Sequence, residues 1–89
     1  MFMEEQIKDI IQTAIPNATI FVLNPGQDGE HFEAIVVSET FVGVPLVKQH
    51  QMVMNALKEE FKERVHALAL KTFTPEKWDA IKDQFPLAN

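Results

Sequence analysis

Residues 31–72 read HFEAIVVSETFVGVPLVKQHQMVMNALKEEFKERVHALALKT, in which two short apolar runs enclose one long amphipathic segment. The pattern predicts strands over 31–38 and 65–72 and a helix over 45–63 that begins at a proline. Along that helix one stripe recurs at spacings of three and four: Leu46, His50, Val53, Leu57 and Phe61. A strand, a crossover helix and a second strand predict that the two strands are parallel, joined by a right-handed connection.

The residues before this unit supply one more helix and one more strand. Residues 4–15 carry apolar side chains at helical spacing, and Pro16 ends the pattern. Residues 18–23 (ATIFVL) are typical of a short strand, and the turn-forming loop NPGQDGE follows at 24–30. The first two strands are therefore expected to form a hairpin.

The chain after residue 72 predicts a last helix. Thr74 can cap it and Pro75 suits its first position, while its buried face would consist of Trp78, Ile81 and Phe85. The expected fold is α+β in the order α-β-β-α-β-α, with a three-stranded mixed sheet and helices on one face. Residues 1–89 are expected to form a single domain.

Composition restricts the function. The formal net charge of −5 argues against a dominant phosphate-binding surface. There is no cysteine, so the chain has no thiol nucleophile, and any transition metal would depend on its three histidines or its carboxylates. No catalytic constellation is recognisable, and the acidic start MFMEEQIKD does not resemble a leader peptide. No apolar run approaches a membrane span, so a cytoplasmic location without membrane contact is expected.

Two histidines are predicted to lie close together. Parallel neighbours begin at the same edge of a sheet, His31 opens the second strand, and His66 is the second residue of the third. Two imidazoles would make half of a metal site, which a partner bringing thiolate could complete. The simpler interpretation is one surface histidine and one residue at the edge of the core, because Leu68 and Leu70 would share the side of His66 if the run alternates.

Other motifs are weaker. The GQDG at 26–29 matches the loop with which KH domains clamp nucleic acid, but it lies within a hairpin, and turn chemistry explains its glycines. His50 is expected to be half-buried on its helix. The basic residues near the end of that helix, Lys58, Lys62 and Arg64, are interleaved with glutamates and indicate a solvated surface.

Three motifs together resemble the BolA family: GEHFEAIVVSETFVG (29–43), PLVKQHQMV (45–53) and VHALALKTFTPEKW (65–78). The resemblance spans about the whole domain and is weaker over residues 1–28. It implies a fold related to class II KH domains and a role that is not enzymatic. BolA-like proteins pair with monothiol glutaredoxins and can share a bridging 2Fe–2S cluster with them.

The resemblance also assigns the ligands of that cluster. The glutaredoxin supplies its cysteine and a bound glutathione thiolate, and the BolA-like chain supplies the Val-His-Ala histidine, here His66. A second ligand near the hairpin loop would be His31. Such ligation resembles that of Rieske centres in chemistry, with imidazole in place of thiolate. The free protein is expected to be a monomer or a weak dimer.

A different function remains open. Some BolA-like proteins are described as DNA-binding transcriptional regulators, and residues predicted for nucleic-acid or partner contact are His50, Lys48, Arg64 and Lys71. Many relatives carry arginines beside the helix histidine, whereas Gln49 and Gln51 flank it here, and the chain is acidic. Both departures disfavour DNA binding. An enzyme such as a small peroxide reductase would need a cysteine that the chain lacks.

Overall fold

The computed structural model describes residues 3–23, 31–61 and 67–84, which form three α-helices and one sheet. The elements follow the predicted order, with short 3₁₀ turns at Glu39–Phe41 and Lys82–Gln84. The main elements are α1 (Met3–Ala14), β1 (Thr19–Leu23), β2 (His31–Val37), α2 (Leu46–Phe61), β3 (Ala67–Phe73) and α3 (Pro75–Ile81). No helix in these described ranges is long and apolar enough to cross a membrane.

The sheet has the strand order β1-β2-β3. β1 pairs with β2 antiparallel and β2 pairs with β3 parallel, so the predicted mixed sheet is confirmed. In the parallel pair His31 lies opposite Ala67 at one end and Val37 opposite Phe73 at the other. The backbone N–H of Ser38 donates to the carbonyl of Phe73, which extends the pairing by one residue.

The main core lies between one face of the sheet and the helices α1 and α2. Alternate residues of β2 (Phe32, Ala34 and Val36) face this core, as the period of two in a strand requires. Ile7 and Ile11 of α1, together with Val53 and Leu57 of α2, are at most 2% exposed and close it from the other side. Burial of these side chains is the main source of stability for a domain of this size.

The third helix packs on the opposite face of the sheet. The Trp78 ring lies 5.6 Å from the rings of both Phe21 and Phe73. Phe21 alternates with the core-facing Ile20, so it belongs to the far face of β1. The prediction of helices on one face therefore holds for α1 and α2, whereas Trp78 covers the other face. The predicted cap is confirmed, because the Thr74 hydroxyl accepts a hydrogen bond from the Lys77 N–H at 3.4 Å.

The predicted stripe on α2 is correct in its middle and wrong at its start. Val53 and Leu57 are buried and His50 is half-buried, as expected. Leu46 is 59% exposed, because it lies in the first turn of the helix, beyond the reach of the core. Its place in the buried stripe is taken by Gln49, which is only 8% exposed.

Candidate functional site

The candidate metal site lies at the amino ends of the two parallel strands. His31 is the first residue of β2, and its Cα pairs with that of Ala67, the first residue of β3. His66 precedes Ala67 directly in the chain and lies outside the described residues, as does the loop 24–30 with its GQDG sequence. The strand pairing on which the predicted proximity of the histidines depends is therefore present, and the ligand assignment itself stays a prediction.

The strand ends beside this site are firmly packed. Phe32, the neighbour of His31, is 2% exposed and pairs in register with Leu68. Leu68 and Leu70 pack against the main core, which confirms that this alternating side of β3 faces inward. A ligand on such a strand would be held by a rigid backbone, and rigid placement of ligands favours metal binding.

The described residues hold no complete metal site of their own. No group of three or more histidine, aspartate or glutamate side chains lies together within residues 3–23, 31–61 and 67–84. An iron or zinc site usually has four protein or exogenous ligands. A site built on His31 would thus need ligands from residues outside these ranges and from another molecule.

Among the residues predicted for nucleic-acid contact, the two described lysines lie on different faces of the molecule. Lys48 is exposed on α2, and Lys71 is exposed on β3. Thr72 donates its hydroxyl hydrogen bond to a side chain of α2, so the adjacent Lys71 belongs to the sheet face away from that helix. His50 is half-buried on α2, two residues after Lys48. Arg64 lies outside the described residues.

Gln49 has a structural role that the sequence interpretation missed. Its Oε1 accepts a hydrogen bond of 2.6 Å from the Thr72 hydroxyl, and its Nε2 donates to the carbonyls of Val44 at 2.8 Å and Phe41 at 3.4 Å. This buried amide joins α2 to β3 and to the segment before α2. Because Gln49 is buried, the lack of an arginine at position 49 says little about DNA binding. Gln51 is exposed to solvent, so the lack of an arginine at position 51 does bear on it. The sequence contained one indication of this burial: residue 49 lies four positions before Val53, so both residues share a face of the predicted helix.

Comparison with known proteins places this arrangement in one family. A family model described as BolA-like protein matches residues 7–77. The DNA-binding transcriptional regulator BolA of Escherichia coli K12 is 30% identical over 90 residues, covering 93% of this chain and 86% of the relative. The acid stress protein IbaG of the same organism is 37% identical over 70 residues, covering 76% of this chain and 83% of the relative.

A solved structure agrees with the fold. A bolA protein homologue from Coxiella burnetii superimposes with a TM-score of 0.74 at 35% identity, covering 89% of this chain and 99% of the homologue. The family model accounts for most of the chain, and the same three helices and mixed sheet recur in the solved relative. The chain therefore belongs to the BolA-like protein family.

Proposed function

We propose that the protein is a non-enzymatic partner of a monothiol glutaredoxin, with which it co-ligates a bridging 2Fe–2S cluster through His66 and His31. The cell would use such a pair in iron–sulfur cluster trafficking or iron homeostasis. Support comes from membership of the BolA-like family and from the absence of cysteine in the chain, which assigns every thiolate to the partner. Glutathione bound to the glutaredoxin would provide the second thiolate.

The observation that carries the proposal is the parallel register of β2 and β3. In this register His31, the first residue of β2, lies opposite Ala67, the first residue of β3, so a ligand supplied by the chain just before Ala67 would approach from the same edge of the sheet. The donor chemistry fits iron, because neutral imidazole is a good iron ligand and replaces thiolate in some 2Fe–2S centres. Phe32 and Leu68, which pack against the main core, would fix the strand backbones next to the two ligand positions.

The histidines would give the cluster a distinctive pH dependence. Each imidazole must be neutral to bind iron, so protonation of either ring releases a ligand. Imidazole ligands also carry no charge, and a shared cluster should therefore have a higher reduction potential than one held by thiolates alone. The chain's contribution is to hold two neutral donors at one edge and to leave the remaining positions to the glutaredoxin.

The test is a spectroscopic titration. A cluster-loaded monothiol glutaredoxin is mixed with the protein, and visible absorption and circular dichroism are recorded. We expect a new visible spectrum with the wild type, loss of that change with His66→Ala, and a weaker or altered change with His31→Ala. His50→Ala is the matched control, because it removes a histidine from α2 and should preserve the spectral change. An unchanged wild-type spectrum, or equal spectra for His66→Ala and wild type, contradicts the assignment.

A second candidate is nucleic-acid binding, which the printed name of the Escherichia coli BolA relative favours. Lys48, which is exposed on α2, is the residue predicted there that could contact a phosphate. Affinity for duplex DNA should then fall with salt, and Lys48→Ala should reduce the slope of log affinity against log salt by about 1. A slope near zero would exclude phosphate contacts and leave the glutaredoxin partnership as the function to pursue.

A further inference from the structure

A cleft lies at the carboxyl ends of β2 and β3, at the opposite edge of the sheet from His31. Its volume is about 460 Å³, and its walls are the segment 42–44 on one side and the start of α3 on the other. Val42, Val44 and Pro75 line it with apolar atoms, and Glu39 and Glu76 line it with carboxylates. A space of this size accommodates a few side chains of a ligand, at the lower end of the usual range for binding sites.

The most exposed large apolar side chains of the described residues belong to the short stretch 42–47, which includes one wall of this cleft. Val42, which lines the cleft, is 65% exposed. Leu46 at 59% and Val47 at 68% follow it closely in the chain, in the first turn of α2. By comparison, Met52 and Met54, farther along α2, are 36% and 41% exposed. Single exposed apolar residues are ordinary, but an exposed apolar residue that lines a concave surface, with others close to it in the chain, is typical of an interaction site.

The wall of the cleft is rigid. The carbonyls of Phe41 and Val44 both accept hydrogen bonds from the buried Gln49 amide, and the Phe41 side chain is fully buried. Gly43, between them, has φ +77, a backbone conformation that glycine adopts without strain. A preformed surface binds with a smaller loss of conformational entropy than a mobile one, so this wall suits recognition of a partner.

Charge indicates what kind of partner the cleft fits. The exposed carboxylates of Glu39 and Glu76 form no ion pair with any described residue, and Lys77 is the one cation among the lining side chains. These carboxylates would repel phosphate groups and attract a cation. A second copy of the chain would bring its own net charge of −5, which opposes self-association.

From this combination we infer that the cleft binds an extended segment of a partner protein in which a lysine or arginine flanks an aliphatic side chain. The aliphatic group would contact Val42 and Val44, and the cation would lie near Glu39 or Glu76. The inference stands independently of the proposed cluster ligation, because it uses the other edge of the sheet and none of the histidines.

The experiment uses two synthetic peptides of equal aliphatic content, acetyl-GRLRVG-amide and acetyl-GELEVG-amide. Each is titrated into the full ¹⁵N-labelled chain, and amide shifts are followed by NMR. The basic peptide should shift the amides of residues 42–44 and 74–77, and the acidic peptide should bind at least about tenfold more weakly. Val42→Ser should weaken binding about fivefold through lost apolar contact, and Glu76→Lys about threefold through charge reversal. Both residues lie at the surface, so each variant should keep the wild-type spectrum elsewhere.

Met52→Ser is the matched control, because it removes an exposed apolar side chain of α2 that does not line the cleft. Its affinity for the basic peptide should equal that of the wild type. The inference is overturned if the peptide causes no shifts, if both peptides bind equally, or if Met52→Ser weakens binding as much as Val42→Ser. It is also overturned if a DNA duplex shifts the amide signals of residues 42–44 and 74–77 more strongly than the basic peptide does. The same holds if these signals shift when the protein alone is diluted, because that would indicate self-association.

Discussion

The buried amide of Gln49 should contribute much of the stability that holds α2 against β3. Gln49 is 8% exposed and Thr72 is 6% exposed, and their side chains share a hydrogen bond of 2.6 Å. Gln49→Ala would leave the Thr72 hydroxyl and the carbonyl of Val44 without this partner. A buried polar group left unsatisfied costs about 1–3 kcal/mol. We therefore expect a loss of about 2–4 kcal/mol from a total near 5–13 kcal/mol for a chain of this length.

Chemical and thermal unfolding followed by far-ultraviolet circular dichroism measure this loss. For a domain of this size, each kcal/mol corresponds to a change of about 4–8 °C in Tm, so a decrease of about 8–32 °C is expected. Gln51→Ala is the matched control, because it makes the same substitution two residues further along α2, on the exposed side of the helix. It should change the free energy of unfolding by less than about 0.5 kcal/mol.

A double-mutant cycle separates the hydrogen bond from the loss of packing. Thr72→Val removes the hydroxyl and leaves the Gln49 amide oxygen without its donor. The combined variant Gln49→Met with Thr72→Val should cost less than the sum of the single changes, by about 1–2 kcal/mol. Purely additive losses, or a Gln49→Ala variant as stable as Gln51→Ala, would refute the view that this network stabilises the contact between helix and sheet.

Three further outcomes are expected. Trp78→Ala should lower the free energy of unfolding by about 2–4 kcal/mol, since the ring loses two aromatic neighbours at 5.6 Å; a smaller loss in urea unfolding would mean that α3 contributes little. Gly43→Ala should cost only about 1 kcal/mol, because a Cβ there meets nothing within 4 Å and the cost is that of φ +77 alone; a loss above 3 kcal/mol would contradict this. His31→Ala should leave peptide affinity at the cleft within about twofold of wild type, because residue 31 begins β2 and the cleft lies beyond the other end of that strand; a larger loss would contradict this separation.

The fold was predictable because its strongest signals are local. The crossover from β2 through α2 to β3 follows from hydrophobic period and length alone, and the hairpin follows from the loop between two β-branched runs. The position of α3 was harder to predict, because its seven residues carry a weak periodicity. Its side of the sheet depends on Trp78 meeting Phe21 and Phe73, which are distant in sequence.

The candidate site was predictable only in its backbone. The parallel register that brings His31 to Ala67 follows from topology, which sequence pattern reveals. The role of Gln49 could not be predicted in this way. A glutamine in an amphipathic helix is usually exposed, and only its tertiary partners make burial favourable. The cleft beside Val42 was also missed, because concavity depends on the approach of the 42–44 segment to α3.

The two ends of the parallel pair offer different chemistry. Seven paired residues separate them, which is about 20 Å along the strands. The amino end begins at His31 and would present neutral nitrogen donors, whereas the carboxyl end presents aliphatic side chains between carboxylates. A glutaredoxin that fills the first edge would therefore not need to cover the second. If both proposals hold, the cleft can contact a third protein while the cluster is bound, and the chain can act as a connector between the cluster donor and its recipient.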